Sequence, residues 1–413
     1  MKNPSSEVLI LGAGFAGLST AIFLKRLGLA VRIFEANAHP NHAGGGLVLS
    51  PNGMRVLRKI KLAQAFIEAG NVMNKTSFFN KSENLIVEKN FAKQTLYGEP
   101  SIYIRREEAH NILTQAAQDE RIEIEYSKKL VSIQQHQDHL IALFEDGSSH
   151  SGEVLIGADG AGSFVRNYVL NNYESPLIYQ KLIYAGGFIN DPSFISERCL
   201  PIDNQRAIIG DKGVFAYENI HNSALPPSLY WGTFFGSKKR LTRKEISDFS
   251  LEEKKTLLKN AHSSYPEIVT RLINKSEDII LASISDTKEL PTWSKQRVLL
   301  IGDAAHAVSP IIGLGVNMSL EDAQMLSELC VVHNMNFSLI FKDFEQLRKP
   351  RVTKIINSAR RSSKLSQINL GFLNYFRNFF FSLLIKLANR DKENWIYSYS
   401  VEKEILNLRN NTK

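Results

Sequence analysis

The sequence predicts an α/β fold. A domain built on a parallel sheet is interleaved with a second, mostly β-sheet domain and followed by C-terminal helices. Three observations predict it. A short apolar strand, a glycine-rich turn, a helix and a second strand succeed one another within residues 8–35. A strand of the same kind returns far along the chain, at Arg297-Val298-Leu299-Leu300-Ile301. Between them run short alternating segments with no Pro/Gly/Ser-rich linker, so the two domains are expected to share chain, not to follow in series.

The elements can be justified in order. Val8-Leu9-Ile10-Leu11 is a continuous apolar run, as a strand buried on both faces requires. Leu18 to Leu27 places Leu18, Ala21, Ile22, Leu24 and Leu27 at helical spacing, and Gly28 is suited to stop that helix. Val31-Arg32-Ile33-Phe34 is the next strand, with Glu35 at its end. Residues 52–70 read as helix, 76–104 as short strands, 106–118 as helix, and 122–156 as a strand meander. Residues 180–235, rich in Gly, Pro, Tyr and Phe, read as β-structure, and 243–275 as charged helix. A helix over about 316–332 follows the returning strand, with further helices to the end. Phe372 to Leu387 reads as an amphipathic core-packing helix, a membrane-surface or partner helix being the alternative. The expected division is residues 1–75, 100–178 and 285–335 for the discontinuous parallel-sheet domain, 76–99 and 179–284 for the β-sheet domain, and 336–413 for the helical segment.

Composition narrows the class. The 413 residues are 43% hydrophobic and 22% charged, enough to bury a large core and unlike a disordered chain. The net charge of +8 reads as a mildly basic surface. The basic residues are scattered and accompany no nucleic-acid-reading motif, so no nucleic-acid partner is expected. Cys199 and Cys330 have no metal-like spacing, no His-Glu-x-x-His occurs, and no metal is expected; the pair fits a reducing cytoplasm. The first residues lack the basic and apolar regions of a signal peptide, and no uninterrupted apolar run reaches the roughly 18 residues of a membrane span.

The motifs carry the chemistry. Gly12-x-Gly14-x-x-Gly17 sits between strand and helix, where Gly12 permits the tight turn, Gly14 lets backbone amides approach a diphosphate, and Gly17 lets helix and strand pack closely. Amides at the helix N-terminus favour an anion, and Ala16 lies in that first turn. Glu35, 23 residues after Gly12, is placed to accept hydrogen bonds from a ribose. This is a Rossmann-like dinucleotide fingerprint, and by itself it leaves FAD and NAD open. Two later motifs bear on that choice: Gly157-Ala158-Asp159-Gly160 through Arg166, and Gly302-Asp303-Ala304-Ala305-His306 through Pro310, Gly313, Gly315, Val316 and Asn317.

With these three motifs in order, the sequence resembles the group A FAD-dependent monooxygenases, the para-hydroxybenzoate hydroxylase-like family, from residue 8 to about 335. The resemblance implies a Rossmann-like FAD-binding domain and a β-sheet substrate domain. It implies that Asp303 binds the ribityl hydroxyls and that Pro310 lies beside the flavin ring. Amides around Gly313, Gly315, Val316 and Asn317 would face the flavin N1/O2 edge, where a helix N-terminus stabilises the negative charge of reduced flavin. Asp159 and Arg166 match a motif serving both FAD and NAD(P)H. Arg106 matches an arginine that contacts FAD, with Arg105 adjacent as the alternative; Ala109 departs from the leucine usual three residues on. Gly44-Gly45-Gly46 resembles the loop that lines the ring. His306 occupies a position that is usually structural.

The resemblance further implies NADPH or NADH as a transient co-substrate, since only one dinucleotide fingerprint is present. Reduced flavin would react with O2 to a C4a-hydroperoxide, and one oxygen atom would pass to a small, aromatic or polycyclic organic substrate. The substrate would sit against the sheet of residues 180–235, with Tyr217, Tyr230, Phe235 and Pro310 as candidate contacts and Tyr217 as the candidate for a direct role. No catalytic base is identified. The expected protein is cytoplasmic, a monomer or homodimer. Alternatives are an FAD-dependent reductase or desaturase, a halogenase of the same fold, and a non-catalytic flavin-binding protein; the Trp-x-Trp-x-Ile-Pro segment usual in halogenases is absent.

Overall fold

The structure, a computed structural model, describes residues 7–40, 44–90, 97–171, 177–191, 193–194, 204–222, 225–366, 382–383 and 395–411. Most of Phe372 to Leu387, and Cys199, lie outside the described residues. Among the described residues no helix is long and apolar enough to cross a membrane.

A six-stranded sheet runs Ser294–Lys295, Val298–Leu300, Val154–Gly157, Glu7–Leu11, Ala30–Phe34, Glu123–Glu125. Neighbours are parallel except Ser294–Lys295 against Val298–Leu300. The first and returning strands foreseen above thus flank Val154–Gly157 on either side. Val8, Leu9 and Ile10 are fully buried because both faces of the sheet are covered. Gly17 of the helix Phe15–Arg26 lies against Ile10, and Gly152 of an antiparallel ribbon (Leu130–Gln135, Leu140–Phe144, Ser149–Gly152) lies against Leu9 on the other face. The meander expected over 122–156 therefore divides into an edge strand, a separate ribbon and a central strand. Electrostatics fixes the edge: Arg32 Nη1 reaches Glu123 Oε2 at 2.8 Å and Glu125 Oε1 at 2.9 Å, drawing Glu123–Glu125 alongside Ala30–Phe34.

The second domain is a seven-stranded sheet in the order Ile280–Thr287, Leu177–Ile189, Leu225–Gly236, Gly213–Asn222, Asn204–Ile209, Lys75–Phe79, Leu85–Asn90. Alternation gives it two distinct faces. Ile183, Ala185, Phe215, Trp231 and Phe235 pack with Leu258, Val269 and Leu272 of the helices Leu251–Ala261 and Glu267–Lys275. Ser250 and Glu253 form a reciprocal cap at the start of the first of these helices, as Thr242 and Glu245 do for Arg243–Asp248. The opposite face looks toward the parallel-sheet domain. A small sheet of Gly46–Leu49, Ile102–Arg105 and Asn71–Val72 joins the two domains.

The long helix Phe337–Ser366 packs on Gly315–Val332 through buried charges as well as apolar contacts. Arg348, fully buried, reaches Glu321 at 2.8 Å and Asp322 at 2.7 Å; Arg351 reaches Glu321 at 2.6 Å. Asn52 donates to Glu321 at 2.7 Å, and His306 Nε2 lies 2.6 Å from Asp322. Each carboxylate is thus neutralised and hydrogen-bonded, the condition under which buried ions are tolerated. His306, 1% exposed, belongs to this network.

Candidate active site

The glycine turn has the backbone its sequence requires. Gly12 has φ +104°, and a Cβ there would run into the Ala158 carbonyl, just as one on Gly17 would meet the Gly12 carbonyl. Those two positions join strand, helix and the Asp159 motif at backbone contact distance. At Gly14, by contrast, an added Cβ would meet nothing within 4 Å, so the turn opens onto free space. The helix Phe15–Arg26 that starts here has no side-chain cap and no acid in its first turn. Its leading amides are left for an anion, the requirement of a diphosphate. Ala16 packs against Gly302, so its contribution to a ligand is its backbone. Glu35 accepts from Ala13 N at 2.9 Å and from Asn37 N at 2.9 Å, which holds its carboxylate at the rim of the turn.

A ring of contacts brings the later motifs to the same cleft. Asp303 follows the buried strand Val298–Leu300 and is exposed, as is Pro310. The Arg166 guanidinium, 3% exposed, donates to the Ala304 carbonyl at 3.1 Å and to the Ala161 carbonyl, tying the Asp159 and Asp303 segments together. The Asp159 carboxylate accepts from Ser163 Oγ and Val165 N and so caps its own turn. Arg106 sits with its guanidinium 5.0 Å from the Phe15 ring, within electrostatic reach of Asp303, and Gly44 lies against its stem. Arg105 points the other way, donating to Ser228 Oγ at 2.6 Å and stacking 4.2 Å over Phe188. Arg105 closes the strand Ile102–Arg105 and points toward the β-sheet domain, while Arg106 opens the helix Arg106–Asp119 and points toward Phe15.

The last motif pairs open backbone amides with a buried side chain. Gly313 has φ +65°, and the helix Gly315–Val332 begins without a side-chain cap or acid, with Gly315 and Val316 half-buried in its first turn. Its amides fit a partly negative ring edge. The Asn317 side chain does not: it is fully buried, donating to the Val48 carbonyl at 3.0 Å and the Gly313 carbonyl at 2.9 Å and accepting from Ser50 N at 2.9 Å. It is a clamp between the Gly44–Gly46 loop's strand and the Gly313 turn, and only its backbone remains for a ligand.

Opposite this cleft stands the inner face of the seven-stranded sheet. Tyr184, Gly186 and Phe188 alternate along one strand and Tyr230, Gly232 and Phe234 along its partner, with Gly186 opposite Gly232 and Phe188 opposite Tyr230. Ala216 and Ala207 continue the row of small residues across the next two strands. These small residues make room for the Tyr184 and Tyr230 rings, which lie over Gly186 and Gly232; the trough is this aromatic inner face. The Tyr184 and Tyr230 hydroxyls touch each other and lie against Gly45, while Tyr103 lies against Gly46, so the glycine loop and the trough face one another. Glu218, opposite Tyr230 and 5% exposed, accepts from Gln205 at 3.0 Å; burial pushes its carboxyl up to about 8. Two candidate contacts fall elsewhere. Tyr217 and Phe235 have the opposite parity and lie in the core beneath the helices, beside Trp231 and Leu258, so neither lines the trough. Tyr184 and Glu218 were not singled out by the sequence; the shared parity of Gly186 and Gly232 with the flanking tyrosines is the signal that marks the inner face.

The model of the FAD binding domain family matches residues 5–359. The chain belongs to that family. It is an FAD-dependent NAD(P)H monooxygenase of group A. The chain is 26% identical over 362 residues to 6-hydroxynicotinate 3-monooxygenase of Pseudomonas fluorescens, covering 85% of this chain and 89% of that protein. It is 24% identical to 3-hydroxybenzoate 6-hydroxylase of Klebsiella oxytoca over 87% of this chain and 88% of that one. Klebsiella pneumoniae HpxO complexed with FAD and uric acid superposes with a TM-score of 0.78 at 19% identity, over 98% of this chain and 96% of that one. The expected fold class, cofactor and reaction type agree with these findings.

Proposed function

We propose that this monooxygenase hydroxylates a small aromatic substrate held between the flavin and the trough of the seven-stranded sheet. One observation carries the reading: the Gly45–Gly46 loop, whose neighbours Gly44 and Asn317 connect it to the nucleotide cleft, lies directly against Tyr184, Tyr230 and Tyr103. A planar ring suits the aromatic surface that Tyr184 and Tyr230 present, because these rings lie over Gly186 and Gly232, where side chains would displace them. FAD held there would supply the redox chemistry, in which NAD(P)H is the two-electron donor, one oxygen atom of O2 goes to the substrate and the other leaves as water.

The chain's own residues bind and orient. First-turn amides of Phe15–Arg26, including that of Ala16, hold the diphosphate at Gly14, and Glu35 accepts from the ribose. Asp303, exposed in the cleft, accepts from ribityl hydroxyls. Amides of Gly313, Gly315, Val316 and Asn317 hold the pyrimidine edge, with Pro310 at the ring and Arg106 on the cleft wall. Asp159 and Arg166 act by fixing the Gly160–Gly162 turn and the backbone of Asp303. Phe188, Tyr184 and Tyr230 enclose the substrate and exclude water. The buried thiol of Cys330 is compatible with a reducing cytoplasm, in which the enzyme works as a monomer or homodimer.

The test is NAD(P)H oxidation by the FAD-loaded protein against a panel of aromatic compounds under labelled O2. Stimulated oxidation with one labelled oxygen in the product supports the reading. Stimulated oxidation whose product carries no label would mark a reductase instead.

A further inference from the structure

Resting on the reading that Asp303 accepts from the ribityl hydroxyls, we propose that Asp322 is a positioning residue for the flavin, setting the direction of Asp303 through the backbone of Gly302. Asp303 is exposed, and its carboxylate accepts no hydrogen bond among the described residues; Arg106 and Arg166 reach it only through space. The backbone that carries it therefore decides where it points. That backbone makes one sharp bend. Gly302 has φ +56° and ψ −143°, turning the chain from the strand Val298–Leu300 into the short helix Asp303–His306. A side chain is poorly tolerated in this conformation, and a Cβ there would also meet Ala16. The Gly302 amide is buried at the bend and needs an acceptor.

Asp322, on the helix Gly315–Val332, supplies that acceptor. Its Oδ2 accepts from Gly302 N at 2.8 Å and from His306 Nε2 at 2.6 Å. One oxygen thus grips the residue before the short helix and the last residue within it. Oδ1 accepts from Arg348 Nε at 2.7 Å, which anchors the grip in the helix Phe337–Ser366. Burial alone would raise the Asp322 carboxyl, but His306 and Arg348 outweigh it and bring it down to about 2, so both oxygens act as acceptors. Arg166 holds the middle of the same short helix through the Ala304 carbonyl. Asp322 is fully buried, so it acts through this backbone. The effect should be selective within the cofactor. The diphosphate and its ribose rest on the Gly14 turn and Glu35, which Asp322 does not touch, whereas the ribityl chain rests on Asp303.

The test compares FAD with ADP, which lacks the ribityl chain, by calorimetric titration of the FAD-free protein. Asparagine offers one oxygen and one NH2, so Asp322→Asn loses the grip either on Gly302 and His306 or on Arg348. Its FAD dissociation constant should rise about tenfold, while that of ADP stays within about threefold. In a double-mutant cycle, adding Asp322→Asn to Asp303→Ala should weaken FAD by no more than about a further threefold, because the group being positioned is already gone. Equal weakening of FAD and ADP would mark a merely structural role and overturn the proposal. Independent losses that multiply to about a hundredfold would overturn it too, as would an Asp322→Asn protein with wild-type FAD affinity. If Asp322→Asn yields no folded protein, Asp322→Glu, which keeps the charge and displaces it by one methylene, carries the same comparison with the same expected outcome. Wild-type FAD affinity in Asp303→Ala alone would remove the ribityl contact itself, and with it the reading on which the proposal rests.

Discussion

Asn317→Ala separates the clamp from the ligand contact. The amide of Asn317 makes three hydrogen bonds with no exposure to solvent, to the Val48 carbonyl, the Gly313 carbonyl and Ser50 N. A net value of about 1 kcal/mol for each bond puts the loss at about 3 kcal/mol. The cavity left beside Gly53 could admit a water that recovers part of it. The bonds link two segments on opposite sides of the proposed flavin site, so their loss should loosen both. The expected result is an apoprotein destabilised by about 2–3 kcal/mol in urea titration and an FAD dissociation constant raised about tenfold or more. Asn317→Asp should be no better, because it keeps the acceptor for Ser50 N but turns a buried donor into an acceptor facing two carbonyls. An Asn317→Ala apoprotein within about 0.5 kcal/mol of wild type would refute the assignment of the clamp. Unchanged stability with weakened FAD would instead return the side chain to the ligand.

Asp303→Ala should behave in the reverse sense, with FAD affinity falling about tenfold or more while apoprotein stability stays within about 0.5 kcal/mol, since the carboxylate is exposed; normal affinity in flavin titration would remove Asp303 from the site. Gly12→Ala places a side chain at φ +104° and against the Ala158 carbonyl, and should yield protein that neither folds normally nor takes up FAD, read by circular dichroism and absorbance. Arg348→Met removes one cation from Glu321 and Asp322, leaving them to Arg351 and His306, and should cost about 3 kcal/mol in denaturant unfolding. His262, 2% exposed and bonded to Thr233, is lowered by burial from its ordinary 6.5 to about 4. Its neutral form is the native one, so its contribution is complete above pH 6.5 and drains away as pH falls toward 4, by about 3 kcal/mol in all. His262→Gln should flatten stability across that window, and a slope that persists would assign it to other groups.

Much of this architecture is legible in residue order. Strands buried on both faces announce themselves as apolar runs, and the glycines of the turn are dictated by backbone contact, which leaves few alternatives at Gly12 and Gly17. The inner and outer faces of the seven-stranded sheet were not legible in the same way. Phe215, Tyr217, Trp231 and Phe235 are as aromatic as Tyr184, Phe188 and Tyr230, because both faces are covered, one by helices and one by the other domain. Alternation then yields two candidate faces and nothing local to choose between them, which is how Tyr217 and Phe235 came to be expected at the substrate. Glu218 escaped notice for a related reason: a single acid in a strand ordinarily faces solvent, and its burial depends on a domain contributed by distant sequence. The side-chain roles of Asn317 and Asp159 were hidden because a short polar residue in a ligand-binding loop has the same appearance whether it touches the ligand or holds the loop.

The strand order of the six-stranded sheet also bears on biosynthesis. Glu7–Leu11 is synthesised well before Val154–Gly157, on which one of its edges waits, and that strand waits in turn for Val298–Leu300. Until Val154–Gly157 and then the returning strand have been made, the growing sheet carries an unpaired, largely apolar edge. Folding in the cell should therefore depend on holdase chaperones engaging the early segment, and premature termination before the returning strand should produce aggregates, not a smaller working domain.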